Sequence, residues 1–209
     1  MDRKLFKQLI EKHQGEIILT EDLYQGNFLG IKRSKVKLSN GKTIWREQIT
    51  KNNDNSNVVY IFPVTKEGEV VLTMQSRIFT SSGVGIGVPA GYIDEGESSL
   101  VAAKRELREE TGYTSNKFIK IAEFHQDSGC SGALATCYLA LDCVKTHEQQ
   151  LDGDEFIDLF PVSINDLEQL IEEGYVKSAA TLILLNAYKN FRRNDHENRS
   201  VCRKFQSGS

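Results

Sequence analysis

A glutamate-rich segment of 23 residues, from Gly91 to Tyr113, constrains this chain more than any other feature of its sequence. It contains six acidic and three basic residues, an excess of acids that equals the net charge of the whole chain, −3. Its second half, from Ser98 to Glu110, has a helical pattern of apolar residues and is followed by Gly112, a residue type that ends helices. The sequence therefore predicts a loop followed by an acidic helix.

Three glutamates of this predicted helix share one face. At about 100° per residue, Glu106, Glu109 and Glu110 fall within an arc of about 100°. The apolar positions that border this arc are Leu100, Ala103 and Leu107. Carboxylates at such spacing repel one another unless cations neutralise them, and Mg²⁺ or Mn²⁺ prefers oxygen ligands of this kind. A solvated helix whose acids pair with its own lysine and arginines is the alternative that the cluster alone leaves open.

The spacing of the whole segment resembles the Nudix box of the Nudix hydrolases. The positions that carry the resemblance are Gly91, Glu97, Arg105, Glu106, Leu107, Arg108, Glu109, Glu110, Thr111, Gly112 and Tyr113. The resemblance implies a protein of the α/β (α+β) class, with a Nudix α/β/α sandwich and a mixed sheet over residues 57–190. It also implies metal-dependent hydrolysis of nucleoside diphosphates linked to another moiety.

The order of elements predicted for residues 57–190 agrees with that family. Strands are predicted over residues 58–64, 70–77, 118–126, 135–142 and 156–162. Glycines indicate a loop between the second of these strands and the acidic helix. Ser163 and Ser178 are each expected to begin a further helix.

The resemblance assigns roles to the residues of the box. The implied metal ligands are Glu106, Glu109 and Glu110 together with the carbonyl oxygen of Ala90, and the implied cofactor is Mg²⁺ or Mn²⁺. The box residues expected to act in catalysis are Glu109 and Arg105. The residues expected to hold the loop and helix together are Gly91, Glu97 and Gly112, with a contribution from Arg105.

A general base usually follows the box in the ADP-ribose pyrophosphatase branch of this family. In this chain, the acidic turn Asp152-Gly153-Asp154-Glu155 lies at a similar place, just before the predicted strand 156–162. We take Glu155 as the predicted catalytic base and keep Asp154 and Asp152 as alternatives. A carboxylate in this position acts as a base only if it can reach the attacking water, which sequence cannot decide.

Two arginine motifs resemble substrate-binding motifs of the same branch. Gln75-x-Arg77 resembles a strand-end arginine that contacts the diphosphate, a task suited to a planar guanidinium. Arg46-Glu47 resembles a pair near the adenine that can be contributed across a dimer. The predicted reaction is therefore hydrolysis of ADP-ribose to AMP and ribose 5-phosphate.

Two positions depart from the pattern of that branch. Ser128 stands where a proline is usual, and Gly87 stands where an acid is frequent. GDP-mannose or another nucleoside diphosphate sugar is therefore the alternative substrate. An alternative of another class is a Nudix module that binds nucleotide sugars without catalysis, although such modules usually lose the glutamates that this chain retains.

Residues 1–56 are predicted to form a separate N-terminal region with one helix and a small antiparallel sheet. Strands are expected over residues 16–24, 28–38 and 42–50, and Asn40-Gly41 predicts a type I′ turn between the last two. A sheet of this size is expected to pack on the main domain or on a second subunit. The resemblance implies a site completed across two chains, so we expect a homodimer. Residues 191–209 are basic and polar, and a flexible tail is expected there.

The composition excludes several other classes of protein. Hydrophobic residues make up 39% of the chain and charged residues 26%, as in ordinary globular proteins. The longest mainly apolar run, Ala179 to Leu185, is far shorter than the ~20 residues that span a bilayer, and the first residues lack an apolar signal core. The four cysteines lack the spacing of zinc or redox sites. We expect a cytoplasmic protein that takes a small-molecule substrate and binds neither nucleic acid nor membrane.

Overall fold

The computed structural model describes residues 1–52, 56–153 and 155–206, with side chains described up to residue 194. The chain divides into two compact units. The first contains Met1–Ser56 and His125–Leu134, and the second contains Asn57–Phe124 and Ala135–Ser209. That the loop 125–134 belongs with the N-terminal residues was not expected from the sequence.

The first unit is built on a three-stranded antiparallel sheet in the order β1-β2-β3. Its elements are α1 (Arg3–His13), β1 (Gly15–Gln25), β2 (Leu29–Leu38) and β3 (Thr43–Lys51). Asp2 caps α1 because its side chain accepts hydrogen bonds from the amides of Lys4 and Leu5. The predicted helix and small sheet are confirmed.

The turn between β2 and β3 differs from the predicted type I′ turn. That turn needs positive φ at two central residues, but here Gly41 has φ 81° and Asn40 is not among the described residues with positive φ. The Gly41 amide donates to the carbonyl of Leu38 (2.9 Å), and the Lys42 amide donates to the side chain of Asn40 (3.0 Å). The result is a three-residue loop with glycine in the left-handed position, which the Asn-Gly pair alone could not distinguish from a two-residue turn.

The second unit contains a mixed sheet in the order β11-β5-β4-β10-β8, with β6, β7 and β9 paired to its members. The elements are β4 (Val58–Thr65), β5 (Val70–Ser76), β6 (Val84–Gly87), β7 (Ala90–Tyr92), α2 (Ser99–Thr111), β8 (Tyr113–Thr114), β9 (Lys117–His125), β10 (Leu134–Lys145), β11 (Ile157–Val162), α3 (Ile164–Glu172) and α4 (Ala179–Gln206). Strands β4 and β10 are parallel, whereas β8 with β10, β11 with β5, β4 with β5, β4 with β7 and β5 with β6 are antiparallel. The predicted α+β class with a mixed sheet is confirmed.

Helices cover both faces of this sheet because β4 is hydrophobic on both sides. Val59 and Ile61 pack with Leu107 of α2 in one cluster of buried residues. Phe62 packs in the other cluster, which contains Leu184 of α4. A strand buried on both faces has a nearly continuous apolar sequence, as β4 does.

The structure adds two short strands where the sequence predicts only a glycine-rich loop. Strand β6 pairs with β5, and β7 pairs with β4 so that Gly91 lies opposite Val59. Glycine and proline are signals of loops, but a distant strand with free edge groups can still recruit such residues into a sheet. The second pairing places Ala90 and Gly91 in regular structure.

The last helix extends further than the sequence indicates. Helix α4 continues to Gln206 and therefore runs through most of the segment assigned to a basic tail. The flexibility of residues 191–209 stays a prediction. Among the helices described, none combines the length and the hydropathy that a bilayer-spanning segment needs.

We predict that Gly112→Ala destabilises the protein more than Gly96→Ala does. Both glycines have positive φ, 70° and 77°, so alanine costs about 1–2 kcal/mol at either position. A Cβ at Gly112 would also overlap the carbonyl oxygen of His147, whereas a Cβ at Gly96 meets no atom within 4 Å. Urea unfolding should show a loss for Gly112→Ala that is larger by at least ~1 kcal/mol. Equal losses for the two variants would contradict this.

Candidate active site

Helix α2 presents its three glutamates from a face that is fixed against the sheet. Ser98 caps the helix by accepting a hydrogen bond from the Val101 amide (3.3 Å). Leu107 is fully buried, and the neighbouring Glu110 is only 4% exposed. The side chains of Glu106 and Glu109 are 13% and 29% exposed. The acidic face therefore lies partly inside the protein. The acids of a solvated helix would be exposed instead.

Strand β7 packs directly on two of these glutamates. The Ala90 amide donates to Oε2 of Glu110 (3.0 Å). A Cβ built at Gly91 would overlap the carboxylate of Glu106, so this position can hold only glycine without displacement. The register of β7 on β4 thus sets the distance between the loop and the acidic helix. The box residues Ala90, Gly91, Glu106 and Glu110 are brought together in this way.

Arg105 connects the acidic helix to the loop that precedes it. Its guanidinium donates to both carboxylate oxygens of Glu97 (3.1 and 2.8 Å) and to the carbonyl of Tyr92 (2.9 Å). It also donates to Glu106 (2.7 Å) and Glu109 (3.4 Å). The hydrogen bonds with Glu97 raise the pKa of Arg105 and lower the pKa of Glu97, so the pair stays charged. This network accounts for a structural role of Arg105, whereas its predicted catalytic role stays a prediction.

Burial places the carboxylates in an unfavourable electrostatic environment. Desolvation, followed by the charges of Glu106 and Glu155, raises the pKa of Glu110 to about 8, although the Ala90 amide opposes the shift. Desolvation also raises the pKa of Glu106, despite its ion pair with Arg105. Neighbouring acids whose ionisation is suppressed can be relieved by a cation. Raised carboxyl pKa values of this kind are more common at functional sites than elsewhere.

The donor set suits a hard divalent cation, but the side chains are not in position for one. Within residues 1–52, 56–153 and 155–206, no three acidic, histidine or cysteine side chains converge as a ready cation site. The reason is visible in the contacts: Glu106 and Glu109 face Arg105, and Glu110 faces the Ala90 amide. Oxygen donors with net negative charge fit Mg²⁺ or Mn²⁺. Cation binding would require Glu106 to turn away from Arg105.

The acidic turn after β10 faces this cluster. The negative charge of Glu155 raises the pKa of both Glu106 and Glu110, which requires that it lie near them. Glu155 is exposed, and its carboxylate accepts a hydrogen bond from the Asp152 amide (3.2 Å). Asp154, kept as an alternative base, lies outside the described residues. Its charge acts on both buried glutamates, which favours Glu155 among the described acids of this turn, and its role as base stays a prediction.

Gln149 connects that turn to the acidic helix, a role that was not expected from the sequence. Its Nε2 donates both to the carbonyl of Glu110 (2.7 Å) and to the carbonyl of Ile157 (3.0 Å). The next amide, of Gln150, donates to the carbonyl of Glu109 (2.8 Å). These bonds hold both ends of the segment that carries Glu155. No local pattern distinguishes this glutamine from its neighbour, so only the tertiary contacts identify it.

The predicted substrate-binding arginines lie in different units. Arg77 directly follows β5, and its charge lowers the pKa of Glu110 and of Tyr92, so it faces the acidic cluster. It also lines a cavity of about 280 Å³ in the second unit. Arg46 and Glu47 lie exposed on β3 of the first unit, opposite Ser34 and Arg33 of β2. Their role at the adenine stays a prediction.

Comparisons with known proteins agree with this geometry. A family model described as NUDIX domain matches residues 54–182. An ADP-ribose pyrophosphatase of Bacillus subtilis (strain 168) is 32% identical over 165 residues, 78% of this chain and 86% of that protein. A GDP-mannose pyrophosphatase of Salmonella arizonae is 24% identical over 184 residues, 83% of this chain and 94% of that protein. The crystal structure of an ADP compounds hydrolase matches with a TM-score of 0.75 at 19% identity, covering 87% of this chain and 96% of that one, which supports the fold.

We predict that Glu110→Gln stabilises the metal-free protein at high pH. The folded-state pKa of Glu110, about 8, lies above its ordinary 4.5, so the stability it contributes is complete below pH 4.5 and is lost as pH rises through about 8. Glutamine stays neutral and can still accept from the Ala90 amide. In EDTA, the variant should melt about 4 °C or more above wild type at pH 9, with a smaller difference at pH 5.5.

The control for this experiment is Glu95→Gln, which removes an exposed acid from the loop before α2. Its effect on Tm should be small at both pH values. A change in Tm for Glu110→Gln that is the same at pH 5.5 and pH 9 would contradict the electrostatic account.

Proposed function

Because the chain belongs to the Nudix hydrolase family, we propose that it hydrolyses the diphosphate bond of ADP-ribose to AMP and ribose 5-phosphate, or the same bond in a related nucleoside diphosphate sugar. The observation that carries the proposal is the pair of buried carboxylates, Glu106 and Glu110, held under β7 by Gly91 and Ala90. Their position on a helix whose spacing matches the Nudix box, in a chain similar to an ADP-ribose pyrophosphatase over most of its length, supports this reaction above others.

Nudix hydrolases generally use divalent metal ions, and we propose Mg²⁺ or Mn²⁺ for this chain. The residues proposed to hold it are Glu106, Glu109 and Glu110, with the carbonyl oxygen of Ala90. When bound, the cation supplies positive charge that neutralises the diphosphate and Lewis acidity at the reacting centre. The suppressed ionisation of Glu110 supports this assignment, because a cation would favour the charged form of that carboxylate.

We propose the remaining roles from the surroundings of the side chains. Glu155 accepts the proton of the attacking water, because it is exposed to solvent and lies near both buried glutamates. Arg77 binds the diphosphate with a guanidinium that has no ion-pair partner in the described part of the chain. Arg105 and Glu97 keep helix and loop in register. Bond cleavage therefore occurs at phosphorus and leaves the sugar carbon untouched.

A second candidate substrate is GDP-mannose. The similarity to a GDP-mannose pyrophosphatase extends over 83% of this chain, and Gly87 and Ser128 depart from the pattern of the ADP-ribose branch. The chemistry at the acidic cluster would be the same, because only the moieties on either side of the diphosphate change. A module that binds nucleotide sugars without catalysis is less well supported, since every glutamate of the box is present.

The reaction is tested by turnover in ¹⁸O-water over ADP-ribose, GDP-mannose and a UDP-sugar. We expect ADP-ribose to be cut in the presence of Mg²⁺, with the label in AMP alone. Glu155→Gln should lower kcat by at least ~10²-fold with a smaller effect on KM, because a general base acts in the transition state. Asp158→Asn, which removes an exposed acid three residues further on, is the matched control and should retain activity. Turnover of Glu155→Gln at the wild-type rate would exclude it as the base, and binding without turnover would favour the module.

We also propose that the protein is a homodimer. No residue of α1 is buried, and its apolar side chains Leu5, Phe6, Leu9 and Ile10 are all between 45% and 54% exposed. Such an apolar surface on a small sheet-containing unit is expected to pack against a second copy. Light scattering at micromolar concentration should give twice 23.6 kDa, and Leu9→Glu should shift the protein toward monomer. A fully active monomer would refute the dimer.

The proposal places the enzyme in the cytoplasm, acting on small molecules rather than on nucleic acid. The three described cysteines, Cys130, Cys137 and Cys143, are free thiols, as is usual in a reducing compartment. The net charge of −3 is opposite in sign to the strongly basic charge balance that is typical of nucleic-acid-binding domains.

A further inference from the structure

A cavity of about 280 Å³ lies between strands β5 and β6 and the connection from α3 to α4. Hydroxyl groups are frequent in its lining, which includes Thr73, Thr80, Ser81, Ser82 and Ser178. Ligand pockets for whole drug-sized molecules usually measure about 300–1,000 Å³. A cavity of this size therefore suits one half of a nucleoside diphosphate sugar rather than the whole molecule.

The charge of the cavity is the opposite of that of the acidic helix. Two cationic side chains, Arg77 and Lys177, line it, and no carboxylate is among its described lining residues. Within the part of the chain that the structure describes, neither cation forms an ion pair. Two unpaired cations in one recess create a positive potential that attracts anions. The occupant is therefore expected to carry negative charge and hydroxyl groups.

Position 87 keeps this cavity free of negative charge. A Cβ at Gly87 would lie 2.8 Å from Oγ1 of Thr181 and 3.2 Å from Cβ of Ser178, at the start of α4. Thr181 is fixed there because its hydroxyl accepts from the Val88 amide (3.2 Å). An acidic side chain at this position would displace the side chain of Thr181, which holds the Val88 amide. The close packing of Gly87 against Thr181 and Ser178 therefore explains why position 87 has no acidic side chain.

Arg77 joins the cavity to the acidic cluster. It lines the cavity, and its charge also acts on Glu110 and Tyr92. A diphosphate bound at Arg77 would therefore have the acidic helix on one side and the cavity on the other. The half of the substrate that extends away from the helix would enter the cavity.

Resting on the proposed function, we infer that this cavity binds the phosphorylated sugar half of the substrate and that Lys177 is a specificity-determining residue within it. Arg77 and Lys177 supply the positive charge for the phosphate, and the hydroxyl side chains bind the hydroxyls of the sugar. The nucleoside half, which is aromatic and needs no cation, binds elsewhere.

The test is direct binding of ribose 5-phosphate and of AMP to the full-length protein, measured by calorimetry in Mg²⁺ buffer. We expect Lys177→Gln to weaken the binding of ribose 5-phosphate by about 5- to 10-fold and Lys177→Glu to weaken it further. The affinity for AMP should change by less than about 2-fold. In turnover, KM for ADP-ribose should rise more than kcat falls. Lys66→Gln, in the exposed turn after β4 and outside the cavity lining, is the matched control and should change neither.

Several outcomes would overturn the inference. It fails if wild type does not bind ribose 5-phosphate, or if both Lys177 variants bind it as tightly as wild type does. It also fails if the variants lose affinity for AMP instead. These results are distinct from failure of the proposed function, which is turnover of no nucleoside diphosphate sugar by wild type. The binding measurement needs no turnover, so it tests the cavity in either case. Because Lys177 is exposed and unpaired, its variants are expected to fold, and an unchanged Tm checks this.

Discussion

The burial of acidic side chains beside the hydrophobic face of α2 is the constraint on which the rest of this structure depends. Glu106 and Glu110 are removed from most of the solvent, and burial raises the pKa of both. Such a cluster persists only if its neighbours compensate for it. Arg105 supplies one compensation through its hydrogen bonds, and the Ala90 amide supplies another. The surrounding packing must also offset the remaining free-energy cost of burying these carboxylates. The site therefore lowers the stability of the fold in order to hold groups that can react.

The sheet provides that packing by being hydrophobic on both faces. Strand β4 contributes Ile61 to the cluster under α2 and Phe62 to the cluster under α4. Both residues are fully buried, so neither helix can shift without exposing apolar surface. Strand β7 pairs with the same β4, and its register therefore follows from that of the core. The position of the loop over the acidic helix is in this sense a consequence of how the central strand is covered.

Arg77 stands where two regions of opposite charge meet. On one side, the acidic helix is suited to cations, and on the other, the cavity with Lys177 is suited to anions. A substrate that consists of a diphosphate flanked by two different moieties matches this alternation, since its charge is concentrated in the middle. Gln149 holds the segment that carries Glu155 in place by donating hydrogen bonds to the carbonyls of Glu110 and Ile157. Fixed groups of this kind reduce the reorganisation that a reaction at phosphorus requires.

The sequence by itself determined the acidic helix, where it begins and where it ends, because the positions of Ser98, Glu106 and Gly112 follow from the local geometry of a helix. It also determined the order of the longer elements, whose apolar patterns are local as well. Only the tertiary structure decided that β7 is a strand paired with β4, that Gly91 lies against Glu106, and that Lys177 shares a cavity with Arg77. Each of these joins residues that are distant in the chain, and such contacts depend on which surfaces pack together, for which a single sequence contains no periodic signal.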